Sequence, residues 1–138
     1  MSKILLKYLR GEEMKLSVRL ALETIQNIEK LKEILTEESF GELRITNGYA
    51  VNQAFRETMG KTDWKNIIQN TTPLKQKKFG KLEETPLKTN LTVNDETKKY
   101  IDELKKEFPK YTESNYVTVS YIIRIVVRAA LLNRDESK

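Results

Sequence analysis

Hydrophobic positions along the chain change period from two to about 3.6, and the same change occurs a second time. Residues 15–20 (KLSVRL) alternate, with Leu16, Val18 and Leu20 on one face and Lys15, Ser17 and Arg19 on the other. Residues 88–93 (KTNLTV), 73 positions later, set Thr89, Leu91 and Val93 against Lys88, Asn90 and Thr92. Each predicted strand runs into a helical pattern: Ile28, Leu31 and Leu35 in the first copy, Ile101, Leu104 and Phe108 at the same offset in the second. Glu and Lys occupy the remaining positions, as at Glu29-Lys30 and Asp102-Glu103.

A second helix is predicted in each copy, now at an offset of 72: residues 45–55 (ITNGYAVNQAF) align with 117–127 (VTVSYIIRIVV). Thr46 and Thr118 stand where an N-cap hydroxyl would accept a first-turn amide. The second version is apolar nearly all round (Ile122, Ile123, Ile125, Val126, Val127, Ala129), which predicts burial of both its faces. The pattern divides the chain into an N-terminal segment (1–14), a strand-helix-helix repeat (15–58), a basic linker (59–87), a second repeat (88–133) and a tail (134–138). In the linker, Pro73 and Pro86 punctuate a stretch containing Lys75, Lys77, Lys78 and Lys81. Thr62, followed by Asp63-Trp64-Lys65-Asn66-Ile67-Ile68, is placed to cap one short helix there, with the rest a connecting arm.

Composition narrows the chemistry. The 138 residues are 38% hydrophobic and 33% charged with a formal net charge of +5, which describes a soluble globular chain suited to an anionic partner. Cysteine and histidine are both absent, which removes disulfides, thiolate sites and the commonest general base. The pairs Glu12-Glu13, Glu37-Glu38 and Glu83-Glu84 are ordinary solvated acids. Gly60-Lys61-Thr62 fails as a phosphate-binding loop, because the required earlier glycine is Phe55. Tyr49 and Tyr121 hold equivalent places, which suggests packing and not nucleophilic chemistry. The expectation is a protein that is not an enzyme, with no metal or cofactor. Neither a targeting signal nor a membrane span is read in the sequence, so the expected location is the cytoplasm.

A short amphipathic strand followed by two helices, the second opened by a Thr cap, resembles the ribbon-helix-helix family of the Arc, MetJ and CopG type. The resemblance covers residues 15–56 and 88–133; the loops at 36–45 and 109–117 are longer than the family's usual turn. It implies a mainly α fold with a short antiparallel β-ribbon, the two repeats forming a pseudo-dimer. It also implies a bacterial protein that binds double-stranded DNA with the ribbon in the major groove. The base-reading residues would be Lys15, Ser17, Arg19, Lys88, Asn90 and Thr92; Arg and Lys suit guanine, Asn suits adenine, and Ser or Thr suits either. The alternative for these six is an ordinary solvated strand face. The starts of the second helices (Thr46, Asn47, Gly48 and Thr118, Val119, Ser120) would anchor backbone phosphates, the small Gly48 and Ser120 admitting them closely. Plain capping without a ligand is the alternative there.

Two copies in one chain are similar to tandem relaxosome accessory proteins of F-type conjugative plasmids, which implies binding to a transfer origin and a relaxase or other relaxosome protein as partner. A transcriptional repressor of plasmid copy or transfer genes is a second reading. A third is an antitoxin-like interaction module, with residues 4–9 (ILLKYL) as the contact. The chain would act as a monomeric pseudo-dimer or as a homodimer, with cooperative binding on DNA an option for either. If the strands pair within one chain, the DNA site is expected to be non-palindromic, with an Arg19 side preferring guanine and an Asn90 side preferring adenine.

Overall fold

The structure, a computed structural model, describes residues 13–42, 44–72 and 87–136; the side chains of Leu87, Lys88 and Glu136 lie outside that description. Among the described residues the fold is mainly helical, with five α-helices and one two-stranded antiparallel sheet. In chain order the elements are β1 (Met14–Leu20), α1 (Leu22–Glu38), α2 (Asn47–Thr58), α3 (Trp64–Asn70), β2 (Leu87–Val93), α4 (Asp95–Glu107) with a 3-10 turn (Phe108–Tyr111), and α5 (Val119–Glu136). None of these helices is long and apolar enough to cross a membrane. The proposed N-terminal contact at residues 4–9 and linker lysines 75, 77, 78 and 81 lie outside the described residues.

The strands pair with each other inside the chain, in a register that sets Lys15 opposite Thr92, Ser17 opposite Asn90 and Arg19 opposite Lys88. Alternation therefore sorts the ribbon into two faces. Lys15, Ser17, Arg19, Asn90 and Thr92 are exposed, while Leu20, Leu91 and Val93 turn inward and are buried. A two-stranded ribbon is marginal by itself, so its apolar face needs helices beneath it. The predicted helical positions supply them: Ile28, Leu31, Leu35, Ile101, Leu104 and Phe108 are all buried in one core. Ile122, Ile123, Ile125, Val126, Val127 and Ala129 of α5 are buried too, as its all-round apolar pattern predicts.

Local chemistry sets the helix ends. Thr46 and Thr118 are the expected caps, each hydroxyl accepting an amide three residues on (Tyr49 and Tyr121, both 3.1 Å). Asn94 caps α4 by accepting the Thr97 amide at 2.8 Å; Asp95 and Glu96 follow in its first turn, and Lys105 and Lys106 occupy its last, each suited to the helix dipole. Pro109 ends the regular helix and a 3-10 turn takes up part of the loop that looked long in sequence. Helix α1 runs further than expected, to Glu38, and closes with the Gly41 amide on the Thr36 carbonyl, with Phe40 and Gly41 at positive φ.

The linker contributes more than a connecting arm. Helix α3 is capped by Asp63 and not by Thr62: Asp63 accepts the Asn66 amide, whereas Thr62 accepts from Asn133. Trp64 and Ile67 are buried, and the Trp64 ring stands edge-on to Phe108 at 5.3 Å. Thr71, just past α3, accepts from Arg128 of α5.

Ion pairs between repeats show how unequal burial makes equal chemistry worth different amounts. Arg128 donates from Nε and Nη2 to the two Glu23 oxygens at 2.7 Å each, a two-pronged pair with side chains only 6% and 10% exposed. The residues at the repeat offset, Arg56 and Glu96, also pair, but at 3.6 Å with side chains 63% and 48% exposed. Arg128→Ala strands a buried carboxylate and is expected to cost about 3–5 kcal/mol. Arg56→Ala is expected to cost less than about 1 kcal/mol. Urea unfolding of the two variants checks the contrast; equal losses would contradict it.

Candidate nucleic-acid interface

Directly opposed residues of an antiparallel pair put their side chains on the same face. The outward row of the ribbon is thus built from two opposed pairs, Lys15–Thr92 and Ser17–Asn90, followed by Arg19, whose partner in the register is Lys88. Every side chain described on this face can hydrogen-bond, and none is acidic. Of the six strand residues predicted from sequence, five are exposed together; the side chain of Lys88 lies outside the described residues. The register corrects one expectation. Asn90 stands in the middle of the row opposite Ser17, so the ribbon has no Asn90 side to contrast with an Arg19 side.

Behind the ribbon, the two second helices begin on its backbone. A Cβ placed on the buried Gly48 would lie 2.0 Å from the Thr92 carbonyl oxygen, so α2 approaches β2 as closely as a missing side chain allows. At the other end the Ser120 hydroxyl donates to the Arg19 carbonyl at 2.5 Å, fastening α5 to β1. The contacts are reciprocal: α2 rests on β2 and α5 on β1. They also give Gly48 and Ser120 a reason to be small that needs no phosphate. The caps account for the Tyr49 and Tyr121 amides, which leaves those of Asn47, Gly48, Val119 and Ser120 without acceptors inside their own helices. Thr46 and Thr118 are exposed beside them, Asn47, Val119 and Ser120 partly so.

The two shoulders differ around this common plan. Tyr49 is 45% exposed, whereas Tyr121 is half-buried and meets Phe108 edge-on at 6.4 Å. Burial pushes the Tyr121 phenol above its ordinary value, with Arg128 and Arg124 pulling the other way. Beside the start of α5, Thr112, Ser114, Tyr116, Val117, Thr118 and Tyr121 line a cleft of about 330 Å³, rich in hydroxyls and free of charged side chains. Among the described residues no cluster of acidic side chains is arranged to hold a metal ion.

Polar contacts between repeats went unread in sequence. Asn52 accepts from the Asn94 amide (3.1 Å) and the Thr97 hydroxyl (2.8 Å), bracing the start of α4. The residues at the corresponding offsets, Arg124 and Thr24, have a buried Nε and a buried Oγ1 with no partner among the described residues. A visible signal existed for the ion pairs: Arg56 and Arg128 recur at offset 72, Glu23 and Glu96 at offset 73. No family profile matches the chain, and neither does any curated protein or solved structure compared with it.

The packing at the helix starts yields a test of its own. Gly48→Ala forces the Thr92 carbonyl or α2 to move, an overpacking expected to cost about 1–3 kcal/mol or more. Ser120→Ala removes one hydrogen bond and is expected to cost about 1 kcal/mol. Thermal denaturation ranks the two. A Gly48→Ala protein as stable as the wild type would show that the close approach to β2 is not a constraint.

Proposed function

We propose that the chain is a sequence-specific double-stranded DNA-binding protein, a tandem ribbon-helix-helix pseudo-dimer whose ribbon enters the major groove. The observation that carries this reading is the exposed row Lys15, Ser17, Arg19, Asn90 and Thr92, hydrogen-bonding throughout and without an acid, on an antiparallel ribbon of two seven-residue strands. A two-stranded ribbon fits the major groove, and these side chains match the donors and acceptors of base edges there. The pseudo-dimer is supported by the reciprocal contacts of Gly48 with Thr92 and Ser120 with Arg19, and by the ion pairs Arg56–Glu96 and Arg128–Glu23.

In this mechanism the amide of Asn47 on one shoulder, and those of Val119 and Ser120 on the other, meet backbone phosphates flanking the groove, while the buried Gly48 seats its helix start against β2. Thr46 and Thr118, exposed beside them, are placed to add hydroxyl contacts. A helix start offers unpaired donors and the positive end of the helix dipole, which suits a phosphate and carries no base information. The protein has no catalytic step; binding and positioning DNA is the activity. The role we propose is accessory binding at a plasmid transfer origin in partnership with a relaxase, in the cytoplasm. The genomic position of the selected site distinguishes this role from repression of plasmid genes.

Purified protein titrated against a pool of random duplexes is expected to bind with an affinity that falls steeply as salt rises, since each neutralised phosphate contributes about −0.9 to the slope of log K against log salt. The double variant Lys15→Glu/Arg19→Glu changes only exposed positions. It is expected to keep the wild-type melting temperature and to lose DNA binding. If it binds DNA as well as the wild type, the ribbon is not the reading head. A stoichiometric protein partner that copurifies, with no duplex bound at any salt concentration, would replace this proposal with an interaction module.

A further inference from the structure

The register contains more than the identity of the exposed face. Ser17 lies opposite Asn90, and these two residues are each other's equivalents at the repeat offset of 73. A local twofold relating the strands therefore passes through this pair. It would carry position 15 onto 88, both lysine, and position 19 onto 92, where the residues are Arg and Thr. Away from the centre, the symmetry of the outward row is broken at one place only, Arg19 against Thr92.

Both positions are held alike. The Arg19 carbonyl accepts the Ser120 hydroxyl, and the Thr92 carbonyl lies against Gly48, so a helix start fixes the backbone under each. Both side chains are exposed. The difference between the two flanks is therefore one of side-chain chemistry. A guanidinium donates two parallel bonds and suits guanine O6 and N7, whereas a threonine hydroxyl makes one bond and accepts several bases.

We propose that the chain reads duplex DNA with a fixed polarity, requiring guanine on the flank under Arg19 and making no such demand on the mirrored flank under Thr92. This rests on the DNA-binding reading above and adds the orientation of the bound site. A polar reader distinguishes the two directions along a duplex, which a ribbon of two identical strands cannot do.

The test is selection of bound sites from random duplexes by the full chain, as wild type, Arg19→Thr and Thr92→Arg, followed by titration of every single-base change in the selected site. Wild type is expected to select a site with guanine fixed on one flank only. Arg19→Thr is expected to lose that guanine preference, about tenfold or more in affinity, with binding to other sequences little changed. Thr92→Arg is expected to gain a guanine preference at the mirrored position and turn the site towards a palindrome. Unchanged melting temperatures separate these effects from misfolding. A wild-type site symmetric at these positions overturns the polarity while leaving DNA binding intact, as does a Thr92→Arg protein that binds all duplexes more tightly without new base preference. Failure of the wild type to bind any duplex overturns the DNA reading and the polarity with it.

Discussion

Antiparallel pairing of β1 with β2 is the contact on which the rest of the molecule depends. Each strand has seven residues and one apolar face, and neither has any other strand to bond to among the described residues. Backbone amides and carbonyls in a strand must find partners, and a pair of strands must find cover for its inner face. Joining strands so far apart in sequence brings the intervening helices under the ribbon, where Leu20, Leu91 and Val93 meet the helical core. Loop closure of that length costs entropy that only the shared core can offset. The segments before and after the linker are thus joined, with α2 resting on β2 and α5 on β1.

Within that frame positions that correspond at the sequence offset differ in chemistry, because a single chain can set them independently. One ion pair is buried and two-pronged, its counterpart exposed and long. Asn52 braces the start of α4, while Arg124 and Thr24 at the corresponding places leave polar atoms unpartnered among the described residues. Helix α3 has no counterpart among the described residues, and its Trp64 packs on Phe108. Buried polar groups carry large penalties when unpaired, so these differences distribute stability unevenly across the fold.

The ribbon's outer face is bounded by the same packing. Because alternate residues must turn inward, the outward row is restricted to alternate positions on each strand, and cross-strand register decides which of them stand together. In the proposed DNA reading, the helices below act as a rigid support: Gly48 and Ser120 pin the backbone at the two positions, 92 and 19, where the outward chemistry differs most. Specificity would then come from side chains held by a scaffold whose own residues touch no base.

Much of this was legible in the linear pattern. Period-two alternation located both strands and their outward residues, period 3.6 located the buried stripe from Ile28 to Phe108, and hydroxyls at Thr46 and Thr118 marked two helix starts, because each of these is a property of neighbouring residues along one chain direction. The site was less legible. Which residues face each other across the ribbon depends on register, so Asn90 moved from one side of the expected site to its centre. The smallness of Gly48 and Ser120 was visible, but its use against strand carbonyls required knowing which strand each helix meets. Trp64 was legible as part of a short helix, but what that helix packs on appeared only with Phe108 beside it, and Arg128 gained its weight from burial. Composition and periodicity are local quantities; register, reciprocal packing and the desolvation of a charge exist only once distant segments touch.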